Sequence, residues 1–373
     1  MEEEGKHLDI LSAMNEQEPQ PEIADIDTEI KIPEAVLEAR LNPPYIARTL
    51  EAIDNVNEYG HNRGSMGLDF GIQSLNTAFN GLNPGLTLVA GGANTGKSMV
   101  LLEIMRRVIT NNQFQTEDHP KKAYCIYFSL DDSNNELMPR MVAADQRILI
   151  NHALFPKTLQ DKPVIMDKRA KGFENLKSNA GYFSMFDAEY GQSIQRIEEL
   201  IAQTHSELEM VAPGEYQIVI FIDNFHDITY DNESGFMEDN QKFDYISGRL
   251  NELAIQYDSP VICSAEFRKI NVMKRPQEDD VKSTGKIVYE AKAIILVYNE
   301  VGVKGDSSNI YWEMGSRDSD VEPRKMPVLE MHVSKNKFGS YKGRNFLKFL
   351  PEMASFIEPG DDEEQIFRQM IKG

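Results

Sequence analysis

The stretch Pro84–Val100, PGLTLVAGGANTGKSMV, decides how the rest of the chain is read. It opens on a short apolar strand, Leu86 to Ala90, passes through a glycine-rich loop and runs into the start of a helix. Gly91, Gly96, Lys97 and Ser98 fit the phosphate-loop pattern G-x-x-x-x-G-K-[ST]. Glycines let backbone N–H groups curl around an anion, and the helix N-terminus presents the positive end of its dipole. Lys97 adds a full charge, and Ser98 offers a hydroxyl to Mg²⁺. A glycine turn that happens to precede Lys-Ser is the alternative, but a strand before and a helix after favour the cradle. The loop Gly91, Gly92, Ala93, Asn94, Thr95, Gly96, Lys97, Ser98 and Met99 is therefore expected to hold ATP with Mg²⁺.

With 373 residues, 41% of them hydrophobic, the chain can bury one large α/β domain and still carry extensions. No apolar run approaches the ~20 residues of a membrane span. The first residues, MEEEGKHLDI, are acidic and polar, unlike a secretory or mitochondrial presequence. Cys125 and Cys263 fall inside apolar runs and read as small core residues in a reducing compartment, so a cytoplasmic protein is expected. The net charge of −21 argues against a broad surface that coats DNA, because such affinity comes from Lys and Arg neutralising phosphates. A narrow basic path, lined by a few residues from each of several subunits, remains compatible with it. Part of the excess lies at the ends: residues 1–30 hold ten acids against Lys6 alone, and Asp361, Asp362, Glu363 and Glu364 follow near the C-terminus. Both ends read as solvated, flexible segments.

Residues 1–32 have few apolar anchors and read as disordered. Val36, Leu37, Leu41, Ile46, Leu50 and Ile53 recur at helical spacing, interrupted by Pro43-Pro44. Beyond the phosphate loop, strands and helices alternate, which predicts βαβ units and a mostly parallel, buried sheet. Expected strands are Ala123 to Phe128, Gly181 to Met185, Ile218 to Ile222, Val261 to Ser264 and Ile294 to Tyr298. Expected helices are Met99 to Asn111, Asn134 to Leu149, Ile194 to Glu207 and Asp239 to Gln256. After Tyr298 shorter runs (Val328 to Val333, Phe346 to Leu350, Ala354 to Ile357) predict antiparallel strands extending the sheet. The domain reading is an acidic segment 1–32, a linker helix and loop 33–65, a core 66–358 and an acidic tail 359–373.

A phosphate loop needs a carboxylate for the Mg²⁺ shell and a group that orients the attacking water. Asp223 ends the apolar strand QIVIFID, and strand ends of that kind face the ligand in an open α/β sheet. Capping the next turn is the plainer role for the same residue. Asp131, in YFSLDDS, is the second candidate, with one of Asp131 and Asp132 expected to cap the following helix. Glu266 ends VICSAE and is placed either to sense the γ-phosphate or as an ordinary loop acid.

Taken in order, these residues resemble the ATPase domain of the DnaB-type replicative helicases, a branch of the RecA-like superfamily. The resemblance rests on FGIQSLNTAFNGLNPGLTLVAGGANTGKS, FSLDDSNNELMPRMVA, VIFIDNFHDI, KRPQEDDVKSTGKIVYEAKAIILVY and SKNKFG, and spans roughly residues 68–349. It implies a RecA-like P-loop core, an ATPase assembled head to tail as a hexameric ring, and DNA unwinding during replication. It also implies single-stranded DNA as partner, with primase or other replisome proteins. By the same resemblance Lys335 and Lys337 reach into a neighbouring subunit's ATP. The DNA-contacting loops correspond to residues 229–241, which are acidic here, and 269–286, where Lys269, Lys274, Arg275, Lys282 and Lys286 supply charge.

The departures are specific. Asp131 stands where the family has a catalytic Glu, Glu266 where it has a Gln, and Lys337 where it has an arginine finger. Lysine carries charge without the bidentate fork, so weak turnover is an expectation. The bacterial family's primase-recruiting helical domain has no counterpart in the acidic residues ahead of the core, which suits a compact, virus-encoded version. A second class of function stays open: a RecA-like ATPase without unwinding activity, acting as a recombination mediator, loader or nucleotide-binding structural subunit.

Overall fold

The computed structural model describes residues 44–62, 66–117, 119–231, 238–268, 274–282, 285–314 and 324–372. The chain divides into two compact units, Met1–Tyr59 and Gly60–Gly373. In the first, residues 44–59 belong to the helix Pro44–Asn62. It starts at the second residue of the Pro43-Pro44 pair, as expected of a proline whose missing N–H is harmless in a first helical turn. Its apolar residues Ile46, Leu50, Ile53 and Val56 are all exposed. The expected helical residues 33–43 lie outside the described residues.

The second unit is built on one ten-stranded sheet. Its strands are β1 (Gly85–Gly91), β2 (Lys122–Ser129), β3 (Phe183–Asp187), β4 (Tyr216–Asp223) and β5 (Pro260–Glu266), followed by β6 (Ala293–Asn299), β7 (Tyr311–Met314), β8 (Arg324–Asn336), β9 (Gly343–Leu350) and β10 (Ser355–Ile357). The order is β10-β9-β8-β6-β1-β5-β4-β2-β3, with β7 added on β8. Pairs from β3 to β6 are parallel, and β6-β8-β9-β10 are antiparallel. The expected mostly parallel sheet with an antiparallel C-terminal edge is what forms.

Every residue of β1 is buried, because helices cover both faces of the sheet. Val89 points to one side, where Val100, Leu101, Ile104, Met105 and Val108 of the helix Lys97–Asn111 pack. Leu86, Leu88 and Ala90 point to the other, against the helix Asp239–Gln256 with Ile246 and Leu250, in a cluster that Ile197 and Ile201 of the helix Ile194–Val211 extend. This apolar sandwich pins the strand that delivers the phosphate loop.

The larger departures from expectation lie in the helical residues 150–178 and at the C-terminal end. Residues 150–178 carry the helices Ile150–Leu154 and Pro163–Ser178, which the periodicity reading left unassigned. Val142, Ala143, Ile148 and Ala153 form a small core there with Ile165, Phe173 and Leu176. The acidic C-terminal segment is corrected from a flexible tail to the helix Asp361–Lys372. Phe367, 3% exposed, packs on Ile310, Val328 and Phe346, and Glu363 pairs with Lys348 at 2.8 Å. Asp361, Asp362, Glu363 and Glu364 form its first turn, where negative charge favours the helix dipole.

Candidate active site

The site assembles at the C-terminal ends of the parallel strands. Register aligns Gly91 of β1 with Glu266 of β5, and Asp223 of β4 with Ser129 of β2. Between β1 and the helix Lys97–Asn111 the chain turns through Asn94 at φ 57° and Gly96 at φ 99°. At Gly91 a side chain has no room: a Cβ there would sit 2.7 Å from the Thr95 hydroxyl. Thr95, itself buried, holds the loop by donating to the Gly92 carbonyl at 2.9 Å. No side chain caps the helix start, and uncapped first-turn N–H groups are donors of the kind an anion accepts from.

The Lys97 ammonium donates to the same Gly92 carbonyl at 2.9 Å. Burial lowers its hold on the proton, while the Glu266 and Asp223 carboxylates raise it. The Lys97 ammonium thus shares its electrostatic surroundings with two carboxylates. The oxygen donors Ser98 and Asp223 suit Mg²⁺, which needs few protein ligands when phosphate supplies the others. Among the described residues no three His, Cys, Asp or Glu side chains gather as an all-protein metal cage.

Asp223 is 7% exposed and held on both oxygens. The Ser264 hydroxyl donates to Oδ1, and the buried Tyr127 hydroxyl donates to Oδ2 at 3.3 Å. Asp131 is exposed. Neither Asp131 nor Asp132 caps the next helix, a correction to the expectation. Ser133 does, with Glu136 closing a capping box, and Asp132 instead pairs with Arg140 at 2.5 Å. Asp227, four residues past Asp223, has its carboxyl raised in pKa by burial first and then by Asp131, Glu266 and Asp223. These four carboxylates share one electrostatic neighbourhood.

Glu266 does not face the site as an unbalanced charge. Lys282 lies 3.4 Å from its Oε2, and the Lys282 backbone N–H donates to the Glu266 carbonyl at 2.8 Å. His226 closes the arrangement: its Nδ1 accepts from the Glu266 N–H at 3.3 Å, and its Nε2 meets the Lys282 carbonyl. An accepting Nδ1 makes Nε2 the protonated nitrogen. Burial lowers the His226 pKa, which keeps the ring neutral.

The remaining basic candidates divide. Lys335 is held within its own chain, its ammonium donating to the Val288 and Tyr289 carbonyls at 2.6 and 2.9 Å. Lys337, exposed, lies 5.7 Å from the Tyr289 ring. Arg275 is not a surface cation. It is half-buried, paired with the buried Glu330 at 3.0 Å and 3.6 Å from Glu300. Lys282 is engaged by Glu266, and Lys286 is half-buried at the first position of the helix Lys286–Glu290. Lys274 is exposed and, with Gly92, Ala93, Arg268 and Tyr298, lines a cavity of about 250 Å³. Lys269 and residues 232–237 lie outside the described residues.

The family described as DnaB-like helicase C-terminal domain matches residues 67–358. The chain belongs to that family. No curated protein sequence matches the chain. Among solved structures, one described as an ATPase domain aligns with a TM-score of 0.66 and 18% identity, over 84% of this chain and 99% of that one. A second, a DnaB-like replicative helicase studied with its primase interactions, gives a TM-score of 0.66 and 18% identity, over 87% of this chain and 71% of that one. At this identity the structures establish a shared RecA-like fold. Among the described residues no helix is long and apolar enough to cross a membrane.

Within this DnaB-like domain the sequence pointed directly to the phosphate loop, Asp223 and Glu266. It did not point to Tyr127, Ser264, His226 or Asp227. The last two stand in FHDI immediately after the Asp223 strand. Tyr127 and Ser264 look like strand residues until their hydroxyls are seen to meet the Asp223 carboxylate across the sheet.

Proposed function

We propose that the chain is an ATP-driven helicase that assembles head to tail into a ring and moves along single-stranded DNA during replication. The observation that carries this reading is the meeting of Lys97, Asp223 and Glu266 around an anion cradle in a chain of the DnaB-like family. In this reading the loop amides and Lys97 hold the β- and γ-phosphates, and Ser98 and Asp223 hold Mg²⁺. The metal, when bound, neutralises charge developing on the transferring phosphoryl group. Asp131 orients the attacking water and Glu266, balanced by Lys282, lies nearest the γ-phosphate. Lys337 of an adjacent copy completes the site; Lys335 supports the strand end that carries it. A primase or another replisome protein is the proposed protein partner.

A second reading, a RecA-like ATPase without unwinding activity, is favoured by the engagement of Arg275 and Lys282 inside the chain. Both readings are tested by measuring Mg·ATP binding, its hydrolysis and strand separation with and without single-stranded DNA, alongside Lys97→Ala. The helicase reading predicts hydrolysis stimulated by DNA, unwinding of a forked duplex, and loss of both in the variant. Hydrolysis without unwinding, or nucleotide binding without turnover, selects the second reading, and absence of nucleotide binding sinks both.

A further inference from the structure

Two glutamates are buried far more deeply than acids usually are. Glu330 on β8 is 0% exposed and Glu300, at the start of the helix Glu300–Lys304, is 1% exposed. Both turn to Arg275. Its Nε donates to the two Glu330 oxygens at 3.1 and 3.0 Å, and its terminal nitrogen lies 3.6 Å from Glu300. Arg344 lies 3.5 Å from Glu330, and Lys304 pairs with Glu300. A buried ion cluster is a weak source of plain stabilisation, since well-packed apolar groups of similar volume commonly serve as well or better. What such a cluster does supply is a fixed place for the segment that carries the arginine.

That segment is short and stiff. Pro276 is buried next to Arg275, and Gln277 and Asp280 bond reciprocally across one tight turn. Its far end is sewn to β5: Arg268 N–H donates to the Asp280 carbonyl, Phe267 bridges Val281, and Lys282 N–H donates to the Glu266 carbonyl. The brace therefore runs from a buried acid pocket at Arg275 to the Lys282–Glu266 pair beside Lys97.

We propose that Arg275 is a positioning residue: gripped by Glu330 and Glu300, it fixes residues 275–282 and thereby holds Lys282 against Glu266 at the γ-phosphate end of the ATP site. The inference rests on the reading of that site as an ATPase. It is tested in the full chain with Arg275→Lys, which keeps charge but not the fork, and with Arg275→Met/Glu330→Gln, which removes both charges together. Two readouts are needed: steady-state ATP hydrolysis with single-stranded DNA, and amide hydrogen exchange at Lys282. Both variants should keep KM near the wild-type value and lose about tenfold in kcat, the pattern of a lost transition-state contact. The Lys282 amide should exchange at least about tenfold faster while β1 and β4 stay protected.

Wild-type kcat in a folded variant, or unchanged Lys282 protection, overturns the proposal. Should the double variant fail to fold, Arg275→Lys decides alone on the same criteria. Hydrogen exchange separates the two levels of failure. A wild-type chain without ATPase activity removes the functional reading, yet Lys282 protection still reports whether Arg275 holds the brace.

Discussion

Lys97→Ala removes the one ammonium that the phosphate loop aims at its anion. Its bond to the Gly92 carbonyl at 2.9 Å shows the side chain folded back over the cradle, already beside the loop amides. A unit charge ~4 Å from a phosphate oxygen contributes ~4 kcal/mol at the effective dielectric of a partly exposed site. Giving up the Gly92 bond to reach the phosphate costs ~1 kcal/mol. The net loss in the variant is then ~3 kcal/mol, about two powers of ten in affinity. Removing Lys97 also leaves Glu266 and Asp223 less balanced, which moves the loss in the same direction. The assay is calorimetric or fluorescence titration of the full chain with Mg·ATP, the fold of the variant being checked by thermal unfolding. An affinity within about twofold of wild type would refute the electrostatic account of the cradle.

Two further outcomes follow from side chains away from the loop. Phe367→Ala, at a position 3% exposed among Ile310, Val328 and Phe346, should cost ~3–5 kcal/mol in denaturant unfolding; a loss under about 1 kcal/mol would return the C-terminal segment to a solvated tail. His226 is held neutral by burial, below its ordinary pKa of 6.5, so the unfolded chain takes up the proton more readily. Its contribution to stability is full above pH 6.5 and is lost as pH falls from there through the folded value. The His226→Gln protein should therefore lose part of the acid-side slope in a series of thermal midpoints, and an unchanged slope would show the ring to be freely titrating.

How far the sequence could be read depended on whether the controlling interaction was local. The phosphate loop was legible because strand, glycines, lysine and helix lie in one run of residues. The parallel strands were legible because burial on both faces leaves continuous apolar runs. The cap in Asp131-Asp132-Ser133 was legible locally, since Ser133 and Glu136 have the capping-box spacing, but it was read as one of the two aspartates; the salt bridge to Arg140 takes Asp132 elsewhere. Arg275 read as a cation for DNA because its partner Glu330 lies 55 residues downstream. Glu266 and Lys282 are brought together by the Phe267–Val281 bridge, which no periodicity reveals. The C-terminal acids looked solvated because four consecutive charges mask the apolar set Phe367, Met370 and Ile371 behind them.

The central claim is a motor site shared between copies, and subunit mixing tests it most directly. Lys97→Ala and Lys337→Ala proteins are each assayed for DNA-stimulated ATP hydrolysis, alone and after mixing. Each should be inactive alone. In mixed rings a subunit with intact Lys97 meets a neighbour with intact Lys337, so activity should return in part. No recovery on mixing, or full activity of Lys337→Ala by itself, would contradict the account.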